Sequence, residues 1–426
     1  MTANHDYNTP AEGTVDWHIP LNDNFQQLET DVEIRDSDAN RGNYDPQNNA
    51  KFLATDTGDV YLGDGSSWNR IGSLRGGTSS GGGGMASALS SGLIVPVADG
   101  LAGTTVDPSS SSSPVQDALD MVAAKGGGTV YLPPDTVNEQ GPVVMHSSCG
   151  LKGTFGESAI NIDNQNTHGL LFDPDASDYT NARFIKETVV DGVTIRGPGM
   201  NNDTGIAVYD RGGMWRCHFG DIFVTGWHNA AWREEDGTNS FEVTVDYLRI
   251  KNVDAGDTEA LIEWVGGGAP SQFHYIAPYP EKDASGKPSD IIKMYGGSLQ
   301  VGTLNIGGIP GKVLKGIPKG FSAAYVNWEP SAKRYDEPAP SHLIECTGNR
   351  AVTIDQLHYW KPVDYVYKLY KAGSCDLARP VPRGYDSAIN RNIINNAKDT
   401  GNGVVFHGKS SEVDGGTSNV TCLCDY

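Results

Sequence analysis

Long apolar runs are missing from this 426-residue chain, and so are clustered cysteines and an even balance of charge. No stretch approaches the ~20 consecutive apolar residues of a membrane-crossing helix, so membrane insertion is not expected. The six cysteines, Cys149, Cys217, Cys346, Cys375, Cys422 and Cys424, are too sparse and irregular for a disulfide scaffold. Cys422 and Cys424 form a C-x-C pair with no second pair to complete a zinc site, and buried or free thiols are expected. Lys and Arg number 32 against 53 Asp and Glu, a formal net charge of −21. Phosphate contacts need cations, so this deficit argues against nucleic acid and against anionic lipid surfaces. It leaves a neutral or cationic partner or, preferred, a solvated acidic surface suited to high salt, where screening removes most self-repulsion. The first residues, MTANHDYNTPAEG, lack the basic and apolar regions of a secretory signal. No G-x-S-x-G, H-E-x-x-H, P-loop or EF-hand pattern occurs, which removes several chemistries, and no cofactor is identified.

Glycine is abundant, at 53 residues. Each one loses extra entropy on folding, which a helix-rich body tolerates poorly and a strand-and-turn body accepts at its corners. Near the start, Trp17, Leu21, Phe25, Leu28 and Val32 mark one face of a helix, a stripe that either bundles with copies of itself or packs on its own domain. Residues 50–72 read as a small β-hairpin module with too little apolar surface for its own core. Together, residues 1–72 form an expected attachment and oligomerisation module. Residues 73–113 are rich in Gly and Ser and read as a linker region.

From Pro114, PVQDALDMVAAKGGGTVYLPP places Val115, Ala118, Leu119 and Val122 at helical spacing, ends the helix on Gly126–Gly128, and follows it with a strand. Strand-like segments then recur. Val193, Ile222 and Leu248 are 29 and 26 residues apart, and Leu304 and Ile354 follow at about twice that step. A period of 20–50 residues signals stacked repeats, and three-strand turns with variable corners suit this one. Alternation such as Leu248/Ile250 points every second side chain inward. The rival is a large β-sandwich with similar strand spacing. The expected fold is therefore all-β, a right-handed parallel β-helix over 114–378 behind a short helix and hairpin module, with a C-terminal β cap or tip at 379–426.

The segment Val115–Pro134 closely resembles the opening of the pectate-lyase-like β-helix superfamily, where a helix, a Gly run and a strand ending in Leu-Pro-Pro begin the solenoid. That superfamily includes lyases, hydrolases, viral tailspikes and binding stalks, so the resemblance implies a fold and not an activity. The W-x-x-P-L-N-x-N-F-x-x-L pattern at Trp17–Leu28 and the run Ala54–Trp68 resemble segments near the start of viral tail-fibre and spike proteins. With the acidity, the resemblance implies a virion surface protein of a virus of salt-loving archaea. Its N-terminal module would fasten a homotrimer to tail or capsid proteins, and its β-helix would bind host surface glycoprotein or glycan.

For an enzyme on this fold, glycoside cleavage needs two carboxylates across the sugar, and a lyase needs a base. The densest patch is WHNAAWREEDGTNS, with Glu234, Glu235 and Asp236 as candidate catalytic acids. Trp227, Trp232 and Arg233 are candidate carbohydrate contacts, and Asp221, His228 and Asp246 lie within one turn in sequence. The bland alternative is a solvated acidic corner with tryptophans packed at interfaces. Structural cations at acidic corners have no assignable position, and Asn202 and Asn419 sit in glycosylation sequons. The functional readings are an attachment spike, a polysaccharide lyase or glycoside hydrolase, and a purely structural spacer or capsid decoration.

Overall fold

Apolar positions of the repeating segments stack directly on one another in the computed structural model. It describes residues 34–57, 59–73, 83–175, 184–199, 205–235, 240–256, 260–265, 270–280, 288–308, 310–330, 340–347, 351–360, 363–370, 375–383, 394–395, 404–413 and 420–423, with single residues 16, 19 and 238. The chain divides into two units, Met1–Ala88 and Leu89–Tyr426.

In the second unit, one column of paired residues runs Val193, Ile222, Leu248, Ile276, Leu304, Val326 and Leu357, in steps of 29, 26, 28, 28, 22 and 31. Every member is buried. The 56 residues from Leu248 to Leu304 are thus two coils of 28. Ile354 departs from the expectation. It pairs with Ala323, three positions before Val326, so it belongs to a neighbouring column.

The fold is mostly β, built on long parallel-strand sheets of 18 and 10 strands. The chain alternates between them: Thr244–Val253 lies in the longer sheet, Ala260–Trp264 in the shorter, and Ser271–Tyr279 in the longer again. In the shorter sheet a second buried column runs Val143, Leu170, Val208, Trp232, Ile262, Ile292, Leu314, Ile344 and Tyr367. The nine- and ten-residue strands of the longer sheet also bend. Inward residues alternate except at the middle, where the spacing is three, as from Val245 to Leu248 and from Phe273 to Ile276. Two consecutive side chains then face outward and the strand turns a corner. Where the corner is sharper the strand breaks, as at Gly192 between Val189–Asp191 and Val193–Arg196. Its φ is 68°, and a Cβ there would lie 2.3 Å from the Gly153 carbonyl oxygen. Coils built on these strands have three straight runs, the two halves of a long-sheet strand and one strand of the shorter sheet, and two coils add a short fourth where Ile185–Lys186 pairs in parallel with Met214–Trp215.

The helix Pro114–Ala123 buries Val115, Ala118, Leu119 and Val122, the face its spacing predicts. The body starts earlier than Pro114, however. Val95–Val97 pairs antiparallel with Gly128–Tyr131, and Ile94 is wholly buried in the same core. The apolar run Leu93–Val97 has too much to bury to serve as a linker. Residues 74–82 of the expected linker lie outside the described residues. At the other end, Val404–Phe406 pairs in parallel with Cys375–Leu377 and with Val420–Cys422 in the long sheet, and Ile394–Asn395 pairs with Tyr367–Lys368 in the shorter one, so the described strands of 379–426 continue both sheets. Cys149, Cys217, Cys375 and Cys422 are buried free thiols.

The first unit contains the predicted hairpin, Lys51–Ala54 with Asp59–Gly63, flanked by Ile34–Asp36 and Trp68–Ser73. Four strands achieve what two could not. Phe52 is fully buried, with the rings of Tyr44, Tyr61 and Trp68 at 5.7, 6.2 and 5.6 Å. The stripe Trp17, Leu21, Phe25, Leu28 and Val32 lies outside the described residues, as do Asn202 and Asn419.

One buried carboxylate links fold to pH. Glu139 accepts hydrogen bonds from the N–H groups of Val115 and Gln116, at 3.0 and 3.3 Å, at the start of the helix. Burial nevertheless pushes its carboxyl up from 4.5 to about 7. A folded pKa above the unfolded one makes a contribution that is complete below pH 4.5 and lost as pH rises through about 7. Through this residue the body is expected to be about 2 kcal/mol less stable at pH 8 than at pH 5. Glu139→Gln keeps one of the two acceptor oxygens and removes the titrating group, so it lowers stability but abolishes that slope, which denaturant unfolding of both proteins at the two pH values measures.

Candidate functional site

Strand parity divides the patch that the sequence singles out. Along Ala230–Glu234, Trp232 and Glu234 point inward and Arg233 outward. Trp232 is fully buried between Phe219 and Phe273, with ring centroids at 4.7 and 5.4 Å. Trp227 is also fully buried, and its Nε1 donates to the Ile195 carbonyl oxygen at 3.2 Å. Neither can present a face to a sugar, so their expected role as carbohydrate platforms is corrected to core packing. Glu234 is 2% exposed and its Oε2 accepts the Val265 N–H at 2.8 Å, which fastens a corner. Arg233 faces outward and pairs with Glu263 at 3.2 Å, and Glu235 pairs with Arg211 at 3.2 Å. Asp236 lies outside the described residues. Buried acid and exposed pairs on opposite sides of one strand cannot converge on a ligand. His228 is likewise committed inward, to the buried Asp254 at 2.7 Å.

The residues that do converge lie on the outer bend of the long sheet. There the spacing of three turns Asp246 and Tyr247, and in the next coil His274 and Tyr275, outward together. Tyr247 pairs in register with Tyr275, and their rings lie 5.3 Å apart. Phe155, 37% exposed, reaches over two coils to place its edge 5.8 Å from Tyr247. That approach crosses glycine corners. A Cβ at Gly192 would meet the Phe155 nitrogen at 3.3 Å, and one at Gly220 would meet Asp191 Oδ1 at 2.1 Å. The freed Asp191 oxygen accepts the Asp221 N–H at 3.1 Å.

Polar groups border this aromatic ridge. Asp246 stands between two imidazoles, with His218 Nε2 at 2.8 Å from Oδ2 and His274 Nδ1 at 3.1 Å from Oδ1. The three are strung along the sheet, and among the described residues no group of three His, Cys, Asp or Glu side chains is placed to hold a metal ion. Beyond the bend, the Arg249 guanidinium lies over the Phe223 ring at 5.0 Å, and Tyr279, 40% exposed, stands in register with Lys251. The Tyr279 ring spreads across the next coil because Gly307 has no side chain, and a Cβ there would lie 2.4 Å from it.

Aromatic faces with hydrogen-bonding groups at their edges suit a ligand that has apolar faces and polar rims. Burial holds the Tyr247 hydroxyl above the usual tyrosine range, so it remains a neutral donor and acceptor. Sequence patterning points to Asp221 and Asp246 but not to Tyr247, Arg249, Tyr275 or Tyr279. The signal was present in DYLRIKN and QFHYIAPY, as the outward partners of the inward Leu248/Ile250 and Phe273/Ile276. No family model, curated protein or solved structure matches the chain.

Trp232→Ala is expected to cost ~3–5 kcal/mol, as for a fully buried tryptophan, whereas Glu235→Ala at its exposed corner stays within ~1 kcal/mol. Equilibrium unfolding of the two variants against the parent checks the division of the patch into core and surface.

Proposed function

We propose that this chain is a homotrimeric attachment spike of a virus of salt-loving archaea, a tail fibre or capsid turret, that binds a glycan or glycoprotein of the host surface. The observation that carries the binding reading is the outward stack of Phe155, Tyr247 and Tyr275, beside Asp246, His218 and His274. Pyranose rings stack on such aromatic faces while their hydroxyls reach the carboxylate and imidazoles. The coils are proposed to form a right-handed parallel β-helix of the pectate-lyase-like kind. Three-run coils, parallel pairing and the helix–Gly–strand opening support this, and ~98% of parallel crossovers take that hand. Residues 1–72 would fasten the trimer to tail or capsid proteins, a reading supported by the resemblance of Trp17–Leu28 and Ala54–Trp68 to spike segments. Three copies turn weak sugar contacts into firm attachment through avidity.

A second reading rests on Asp246. A carboxylate between two imidazoles on an aromatic ridge supplies the kind of acid–base group that a polysaccharide lyase or glycoside hydrolase on the same fold would need.

Three measurements bear on these readings. Tyr247→Ala and Tyr275→Ala are each expected to weaken binding to immobilised host envelope material at least ~10-fold, the loss of about 1.4 kcal/mol, while the protein remains folded. Unchanged binding in both variants would remove the ridge from the account. Light scattering in molar salt is expected to give three times the single-chain mass, and a single-chain mass would contradict the spike. If the chain cleaves, the parent releases oligosaccharides from host glycan and Asp246→Asn does not, while still binding it.

A further inference from the structure

We propose that the sugar held on this ridge is anionic, carrying a carboxylate or a sulfate that pairs with Arg249 and Lys251, with Arg196 alongside. The inference rests on the glycan-binding reading and deepens it by naming the ligand's charge.

Two columns of the long sheet face away from the core just past the bend. One runs from Thr136 through Thr194, Phe223 and Arg249 to Ala277, and the other from Asn138 through Arg196, Thr225 and Lys251 to Tyr279. Neither contains an Asp or Glu, in a chain where acidic residues outnumber basic ones by 53 to 32. They contain three cations instead. Arg196 and Lys251 are exposed and Arg249 is half-buried.

Several cations of the ten-stranded sheet are answered by the chain itself, whereas among the described residues Lys152 and Lys319 have no carboxylate partner. On the ten-stranded sheet, Arg233 pairs with Glu263 at 3.2 Å, Arg211 with Asp173 at 3.2 Å, and Lys368 with Glu345 at 3.0 Å. Among the described residues Arg196, Arg249 and Lys251 have no carboxylate partner, and the neighbour of Arg249 is the Phe223 ring. Three cations gathered on neighbouring strands with no carboxylate in their columns make this face locally basic, which suits an anionic ligand.

The placement suits a sugar. Tyr247, Arg249 and Lys251 are alternate residues of one strand, spaced about 6.6 Å apart, and Tyr275 and Tyr279 stand on the next strand about 4.8 Å away. A ring stacked on Tyr247 and Tyr275 would put an exocyclic acid beside Arg249. The Phe223 ring beneath Arg249 orients its planar fork, which binds carboxylate or sulfate oxygens two at a time. Direct pairing also suits high salt. At 1 M the screening length is about 3 Å, so the net negative charge does not repel an acidic glycan at a distance while contact pairs persist.

The test uses the full-length protein in 1 M salt, with polygalacturonate, dextran sulfate and uncharged dextran as immobilised probes. The parent is expected to bind one of the anionic polymers at least ~10-fold more tightly than dextran, and which one it binds tells carboxylate from sulfate. Arg249→Gln is expected to bring that binding down to the dextran level, and Arg249→Lys to restore part of it. Equal binding to dextran, or no effect of Arg249→Gln, overturns the anionic proposal and leaves the ridge reading standing if Tyr247→Ala still weakens binding. Loss with Arg249→Gln but not with Tyr247→Ala does the reverse. Failure to bind either anionic polymer overturns the proposal outright.

Discussion

Register between successive coils is the constraint on which everything else in the body depends. Parallel strands that pair residue for residue bring the same kind of side chain to the same place in every coil, and a slip of one residue would turn each inward ladder out to solvent. Burial makes such a slip costly. The column from Val193 to Leu357 and the column from Val143 to Tyr367 are buried throughout. Each large apolar side chain moved from core to water would forfeit roughly 1.5–3 kcal/mol. Outward residues inherit the same order. Gln272 donates to Gln300 at 3.2 Å, Asn327 to Asn305 at 2.9 Å and Asn161 to Asn138 at 2.9 Å, and Tyr247 lies against Tyr275. The order of the outward surface is thus a by-product of the core, held by ladders that run beneath it.

Inward positions were the legible part of the sequence, because burial selects one residue type and repeats it. Val193, Ile222, Leu248 and Leu304 can be aligned by eye and do share a column. Ile354 cannot be placed that way. The bend puts two apolar positions three residues apart in every coil, so an isolated isoleucine fits either column. The helix at Pro114 was legible for the same reason as the ladders, while the burial of Ile94 and Val95 was hidden by their Gly- and Ser-rich surroundings.

The site was harder to read because its meaning lies in parity and in neighbours from other coils. Trp227 and Trp232 next to Glu234 and Glu235 look like a sugar site in one dimension. In three, both tryptophans and Glu234 are inside, and Arg233 and Glu235 are outside in ion pairs of their own. Tyr247 and Tyr275 sit 28 residues apart in sequence and become one surface only when Leu248 is stacked on Ile276. Phe155 joins them from a coil further away still, across corners that only glycine permits.

A density map of the full chain bound to host-surface glycan tests the central claim most directly, since the account commits to one face of one sheet. It predicts sugar density over Tyr247, Tyr275 and Arg249 on the outer bend of the long sheet. Sugar density over Arg233 and Glu235 on the ten-stranded sheet, with the bend bare, would contradict it.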